Sequence, residues 1–161
     1  MFFSEIKNIT IFLNNSQKRI GEWQDFILEE KNLVIQRILL KEGKELDKEQ
    51  ISSWEREKIW VFENTFLEKN SERKTLTTKK MLGMSVETET GRKLGKIKDL
   101  QINEDFLCVR KILVKKEFFF WEIGKNKLIE TSKILDVREN KIIVEEERLK
   151  KKQELLMGAG V

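Results

Sequence analysis

The sequence predicts a mainly β protein in which two small barrels follow each other along the chain, with a short helix at the C-terminus. Three observations support this fold class: short apolar runs between turn signals, the repetition of one such run, and the chain length. The 161 residues would accommodate two barrels of roughly 70 residues each. Hydrophobic and charged shares of 39% and 37% indicate a soluble globular protein with a solvated surface.

One apolar run occurs twice, as LVIQRILLK at 33–41 and LCVRKILVK at 107–115. An ungapped offset of 74 extends this match to residues 20–41 and 94–115, with seven identities in 22 pairs. Such a constant register indicates a duplicated supersecondary unit.

A second match follows at a different offset. The run KIWVFE at 58–63 corresponds to KIIVEE at 141–146 at an offset of 83. The second copy has therefore gained nine residues, and the repeated segments should form matching strand pairs in two separate barrels.

Each copy has the pattern of β structure, because runs rich in Ile, Val, Leu, Phe and Trp are separated by turn signals. The turn signals are NNSQ at 14–17, EEKN at 29–32, KEGKE at 41–45, TETG at 88–91, NED at 103–105 and GKNK at 124–127.

Bends within the strands are also predicted. Gly91 would supply the positive φ of a turn, and Gly95 would mark a bend or a close approach of two backbones. Polar pairs interrupt the repeated strand at the same place in both copies, which predicts a β-bulge in each. These pairs are Gln36-Arg37 and Arg110-Lys111.

The segments outside the copies define the remaining organisation. Residues 64–80 are polar and are interpreted as a linker between a first copy at 1–63 and a second at 81–146. Residues 147–161 are interpreted as a short helix and tail, because Glu and Lys recur at i,i+4 spacing before Gly158.

An aromatic run opens the nine-residue excess of the second copy. Because side chains alternate along a strand, one alternate pair would fill the barrel and the other would need a cover. That cover is either the first copy, or a partner protein or second subunit docked on the aromatics. The four residues are Phe118, Phe119, Phe120 and Trp121.

Charge is unevenly distributed along the chain. Residues 1–70 carry 11 basic and 13 acidic side chains, net −2, so residues 71–161 carry 21 and 15, net +6. An anionic partner would prefer the second half, although Lys41 repeats Lys115 and favours an ordinary solvated strand end. The candidate contacts for an anionic partner are Arg110, Lys111, Lys115 and Lys116, with Arg73, Lys74, Lys79 and Lys80 added by the linker.

Residues needed for most enzymatic chemistry are absent from the sequence. The chain has no His or Tyr, and its one cysteine, Cys108, is expected in the core. No nucleotide-binding or nucleophile-elbow motif occurs. We therefore expect no enzymatic activity, no cofactor and no metal site, and a cytoplasmic protein without a disulfide or a membrane-inserted segment.

The second copy resembles the PRC-barrel family in MLGMSVETETGRKLGKIKDLQINEDFLCVRKILVKK at 81–116 and KLIETSKILDVRENKIIVEE at 127–146. The family pattern falls on Leu82, Gly83, Val86, Gly91, Leu94, Gly95, Ile97, Asp99, Ile142, Ile143 and Val144. By the internal alignment, residues 5–63 resemble a more diverged copy. The fold-determining positions are then Gly21, Asp25, Gly91, Gly95 and Asp99.

The resemblance implies two strongly bent, six-stranded barrels in tandem. Family members include the photosynthetic reaction-centre H subunit, the ribosome maturation factor RimM and adaptors of the archaeal division apparatus. The resemblance therefore implies a non-enzymatic adaptor or scaffold that binds a protein partner. The aromatic run leaves two oligomeric states open, a monomer with paired barrels or a homodimer. The alternative is an RNA- or ribosome-associated assembly factor, and a small-molecule sensor is a third reading without convergent polar groups to support it.

Overall fold

The protein is described by a computed structural model at residues 1–62, 66–67, 75–116 and 126–146. Within these ranges the fold is mainly β, as predicted. The first unit contains β1 (Thr10–Leu13), β2 (Arg19–Leu28), β3 (Ile35–Leu40), β4 (Glu45–Asp47), β5 (Ile51–Glu55) and β6 (Lys58–Val61).

A short segment connects the first unit to the second. It contains β7 (Leu76–Thr77), which pairs with β2, and one helical turn, α1 (Thr78–Met81). The second unit contains β8 (Ser85–Thr88), β9 (Lys93–Asn103), β10 (Cys108–Lys115), β11 (Lys127–Glu130), β12 (Ile134–Arg138) and β13 (Lys141–Val144). Short 3₁₀ turns occur at Phe3–Glu5, Lys48–Gln50 and Thr131–Lys133.

The two units have the same strand order. The first sheet runs β4-β3-β2-β1-β6-β5 and the second runs β11-β10-β9-β8-β13-β12. In each, one central pair is parallel, β1 with β6 and β8 with β13, and the other neighbouring pairs are antiparallel. This identity of topology confirms the duplication and identifies the first unit as a diverged copy of the second.

Strand register agrees with the sequence offset of 74. Asp25 pairs with Leu39 on β2 and β3, and the equivalent Asp99 pairs with Leu113 on β9 and β10. The register of this strand pair shifts twice in each copy, and the shifts fall at equivalent residues. On β3 and β10 it shifts past Gln36 and Arg110, and on β2 and β9 past Gln24 and Lys98. Both predicted bulges are therefore present.

The apolar faces of both units form one continuous hydrophobic core. Phe26 and the equivalent Leu100 are fully buried at its centre, and burying each such side chain stabilises the fold by roughly 1.5–3 kcal/mol. In the described part of the chain, the end strands of each six-stranded sheet are not hydrogen-bonded to each other. Among the described residues, the end strands β5 and β12 each pair with a strand on one side only.

Candidate partner-binding surfaces

The two units meet through a contact between equivalent residues. Val34 forms an antiparallel bridge with Cys108, and these positions are 74 residues apart. The N–H of Ile35 donates to the carbonyl of Leu107 at 2.7 Å, and the symmetry-equivalent bond in the opposite direction is 3.0 Å. A contact between equivalent residues indicates a pseudo-two-fold axis through the molecule.

Two buried aspartates extend this symmetry. Asp25 on β2 accepts a hydrogen bond from the hydroxyl of Thr78, at the start of α1. The equivalent Asp99 on β9 accepts from the hydroxyl and the N–H of Ser4, the latter at 3.1 Å. Ser4 and Thr78 are themselves 74 residues apart. Each aspartate therefore binds the segment that precedes the first strand of the other unit, so the contacts between the two units are reciprocal.

The predicted glycines differ in how strictly the structure requires them. Gly91 has a φ of +83°, as the turn demands. A Cβ at Gly95 would lie 2.2 Å from the carbonyl oxygen of Lys115, whereas a Cβ at Gly21 would lie 2.9 Å from the Cδ1 atom of Leu40. Gly95 therefore permits a close approach of two backbones, and Gly21 faces a side chain that can move.

The predicted basic residues are spread along β10. Arg110 is exposed at the bulge, while Lys111 is half-buried and forms an ion pair with Glu130 at 3.6 Å. Lys115 and Lys116 lie at the end of the strand, five and six positions beyond Arg110. Arg73 and Lys74 lie outside the described residues, and so do Phe118, Phe119, Phe120 and Trp121 and the predicted C-terminal helix.

Strand β9 supplies basic residues that sequence reasoning missed. Lys96 lies directly opposite Lys115 on β10, and the exposed Lys98 follows on the same strand. In the first unit, the position of Lys96 is occupied by Glu22, whose carboxylate binds Lys41 at 2.7 Å. The internal alignment contained this information, because it pairs the carboxylate of Glu22 in the first copy with the amine of Lys96 in the second.

The end strand β12 presents an exposed leucine at a bulge. β12 pairs with β13 on one side, and no other described strand pairs with it. Its register shifts past Leu135, which is 55% exposed. The equivalent bulge of β5 contains Ser52, whose hydroxyl accepts a hydrogen bond from the Asn14 side chain at 3.3 Å. The same backbone feature thus carries a polar residue in one unit and an apolar one in the other.

A cleft runs along β12, between the second unit and the β2–β3 turn of the first. It consists of two adjoining cavities of about 420 and 270 Å³ that share Glu30 and Val137 in their walls. At the position equivalent to Val137, the first unit has Trp54, whose ring packs on Phe26 at 5.1 Å between centroids. The smaller side chain in the second unit leaves space beside its sheet edge.

Chemically reactive groups are scarce in the described ranges. Burial raises the pKa of the Cys108 thiol, and the nearby Arg110 offsets part of this effect. No three potential metal ligands cluster within residues 1–62, 66–67, 75–116 and 126–146. No helix in those ranges is long and apolar enough to cross a bilayer. What the described surface offers is therefore apolar and charged contact area.

Comparison with known proteins gives one family match. A family model described as PRC-barrel domain matches residues 73–150, which include the whole second sheet. A search of curated proteins found no match to the chain.

Proposed function

Residues 73–150 belong to the PRC-barrel domain family, and from this premise we propose that the protein is a non-enzymatic adaptor that binds a protein partner. One observation carries the proposal. Of the four large apolar side chains that are exposed among the described residues, three lie on the second unit: Phe106 at 74%, Leu128 at 47% and Leu135 at 55%. Exposed apolar side chains on one unit favour a protein interface.

The reciprocal contacts between the units support an adaptor rather than a pair of independent domains. A shared core and two buried aspartate contacts hold the units in one arrangement. A partner would therefore bind a preorganised surface, which lowers the entropy cost of association.

Affinity purification from the native host tests this function. Wild-type protein and the single variants Phe106→Ser, Leu128→Ser and Leu135→Ser would be purified in parallel, and the retained proteins quantified by mass spectrometry. We expect at least one protein to be retained by the wild type and lost with one or more of the variants. If no protein is retained by the wild type above an unrelated control, the adaptor proposal is wrong.

The second candidate function is RNA or ribosome association, which is favoured by the basic pair on β9 and β10. Lys96 and Lys115 occupy paired positions on β9 and β10, and basic residues on neighbouring strands suit a phosphate-bearing partner. Sequencing of RNA from the same purifications would test it. RNA retention that falls with salt and is lost on charge reversal at Arg110, Lys111, Lys115 and Lys116 would favour this function over the adaptor.

A further inference from the structure

The cleft along β12 has the features of a site for an extended peptide. In an antiparallel ladder, alternate residues direct their N–H and C=O groups to the far side of the strand. Because β12 ends the described strand order, those groups of alternate residues face the cleft. An added strand would satisfy them, as in other cases of peptide recognition at a sheet edge.

The size of the cleft favours an extended peptide over a folded domain as the ligand. The turn that carries Glu30 and Lys31 stands across the cleft from Ile134 and Val137, and it narrows the approach to the edge. The larger cavity, of about 420 Å³, is within the size range of ligand pockets, roughly 300–1,000 Å³, and the smaller one, of about 270 Å³, adjoins it. A single extended segment fits this space, whereas a second sheet edge would meet the turn.

Side-chain chemistry defines the kind of peptide. Leu135 is exposed at the bulge, and Val137 lines both cavities, so the peptide should place an apolar side chain against them. Three acidic and three basic residues line the cleft, so their formal charges cancel. The cleft therefore favours neither a polyanion nor a polycation. These six are Glu30, Asp136 and Glu139, and Lys31, Lys80 and Arg138.

We propose that the partner of this adaptor contributes an extended, uncharged to weakly charged peptide, which adds a strand to β12 and packs an apolar side chain on Leu135 and Val137. This inference rests on the proposed adaptor function and assigns that function to one edge of the second unit.

The first unit supplies the variants for the test. Leu135→Ser and Val137→Trp each introduce the residue that the first unit has at the equivalent position, Ser52 and Trp54. The former removes the apolar contact, and the latter fills the cleft. Phe62→Ser is the matched control, because it also replaces a similarly exposed apolar side chain by Ser, but in the first unit and outside the lining of the cleft.

The full-length protein would be used to select from a display library of random 12-residue peptides. Enriched peptides would then be synthesised, and their affinities measured by fluorescence anisotropy. We expect Leu135→Ser and Val137→Trp to weaken binding by about tenfold or more, and Phe62→Ser to change it by less than about twofold. Hydrogen exchange should slow at backbone amides within β12 when peptide is bound. Circular dichroism would verify that each variant keeps its β signal.

Several outcomes would overturn the inference. The library could yield no enriched sequence, or the enriched peptides could bind both β12 variants as well as they bind the wild type. Hydrogen exchange could slow only at amides outside β12. Light scattering could show a homodimer that Leu135→Ser dissociates, in which case the occupant of the edge is a second copy of the chain. Failure of the adaptor function itself is distinguishable. If a partner protein from the native host binds Leu135→Ser and Val137→Trp normally, the adaptor stands and the cleft is excluded as its site.

Discussion

At three equivalent positions the two units carry different residues on the same backbone. The first unit has Ser52, Trp54 and Glu22, where the second has Leu135, Val137 and Lys96. The first two differences make the β12 edge more apolar and more open than the β5 edge. The third places a lysine, Lys96, where the first unit has a carboxylate that binds Lys41. Duplication preserved the core and register, while the surfaces diverged.

The contacts between the two units are also shared by both copies. The bridge between Val34 and Cys108 and the bonds to Asp25 and Asp99 obey the pseudo-two-fold axis. A change on this axis alters a contact on which both units depend, whereas a change at an outer edge alters one unit only. The comparison therefore predicts that substitutions at the contacts between the units lower the stability of both units, whereas substitutions at an outer edge alter one unit.

The largest difference between equivalent positions is expected at the glycines. Gly95→Ala should destabilise the protein by about 4 kcal/mol or more, since its Cβ would meet the backbone of Lys115 at 2.2 Å and its φ is +141°. Gly21→Ala should cost only about 1–2 kcal/mol, because the obstructing Leu40 side chain can move. Urea unfolding of both variants measures the two values, and equal losses would show that the close backbone approach is not the cause.

The aspartate contacts should be the next most sensitive. Asp25→Ala and Asp99→Ala each remove a buried acceptor, at roughly 1–3 kcal/mol per donor left without a partner. Asp25→Ala should cost more, because Thr78 is fully buried, whereas Ser4 is exposed and water can replace its lost bond.

Chemical denaturation of the two aspartate variants provides the comparison. The double variant Asp25→Ala with Thr78→Val would remove donor and acceptor together and should recover part of the loss. If Asp99→Ala lowers the free energy of unfolding as much as Asp25→Ala does, burial of the donor does not determine the size of the loss.

A designed disulfide can test the axis directly. Val34 and Cys108 form the kind of pair that is not directly hydrogen-bonded, and such pairs bring Cα atoms to about 4.5 Å, within disulfide range. Val34→Cys should therefore allow an intramolecular disulfide that stabilises the protein by about 2–4 kcal/mol.

The disulfide forms only if the units are arranged as described. Because burial raises the pKa of the Cys108 thiol, less thiolate is present at neutral pH and oxidation should be faster at mildly alkaline pH. Non-reducing electrophoresis and thermal unfolding with and without reductant measure the bond. A covalent dimer in place of the compact monomer would contradict the pseudo-two-fold contact.

Sequence reasoning worked best for local geometry and worst for contacts between the units. The offset of 74 located the bulges at Gln36 and Arg110, because bulge and register are properties of one strand pair. The same reasoning marked Asp25 as fold-determining without a reason, since its partner Thr78 lies 53 residues away. Leu135 was not singled out, because the sequence does not show which strand ends a sheet.

The smallest expected effect on stability concerns Lys96, which occupies the position of Glu22 in the first unit. Lys96→Glu would place a carboxylate opposite Lys115, as Glu22 stands opposite Lys41 in the first unit. Relative to the control below, the new pair should contribute less than about 1 kcal/mol at neutral pH. The substitution should also weaken any RNA binding by the second unit. Lys98→Glu is the control, because it changes the net charge equally at an exposed residue on the same strand.

The pH dependence distinguishes the new pair from a general charge effect. In the first unit, the hydrogen bond and positive charge of Lys41 hold the pKa of Glu22 below its ordinary value of 4.5. A carboxylate with a lowered folded-state pKa contributes its stabilisation above the unfolded-state pKa, and loses it as the pH falls through the folded-state pKa. The increase in Tm for Lys96→Glu should therefore be present at pH 7 and disappear as the pH is lowered below about 4. An equal increase in Lys98→Glu, or one that persists at low pH, would mean that the pairing across β9 and β10 does not produce it.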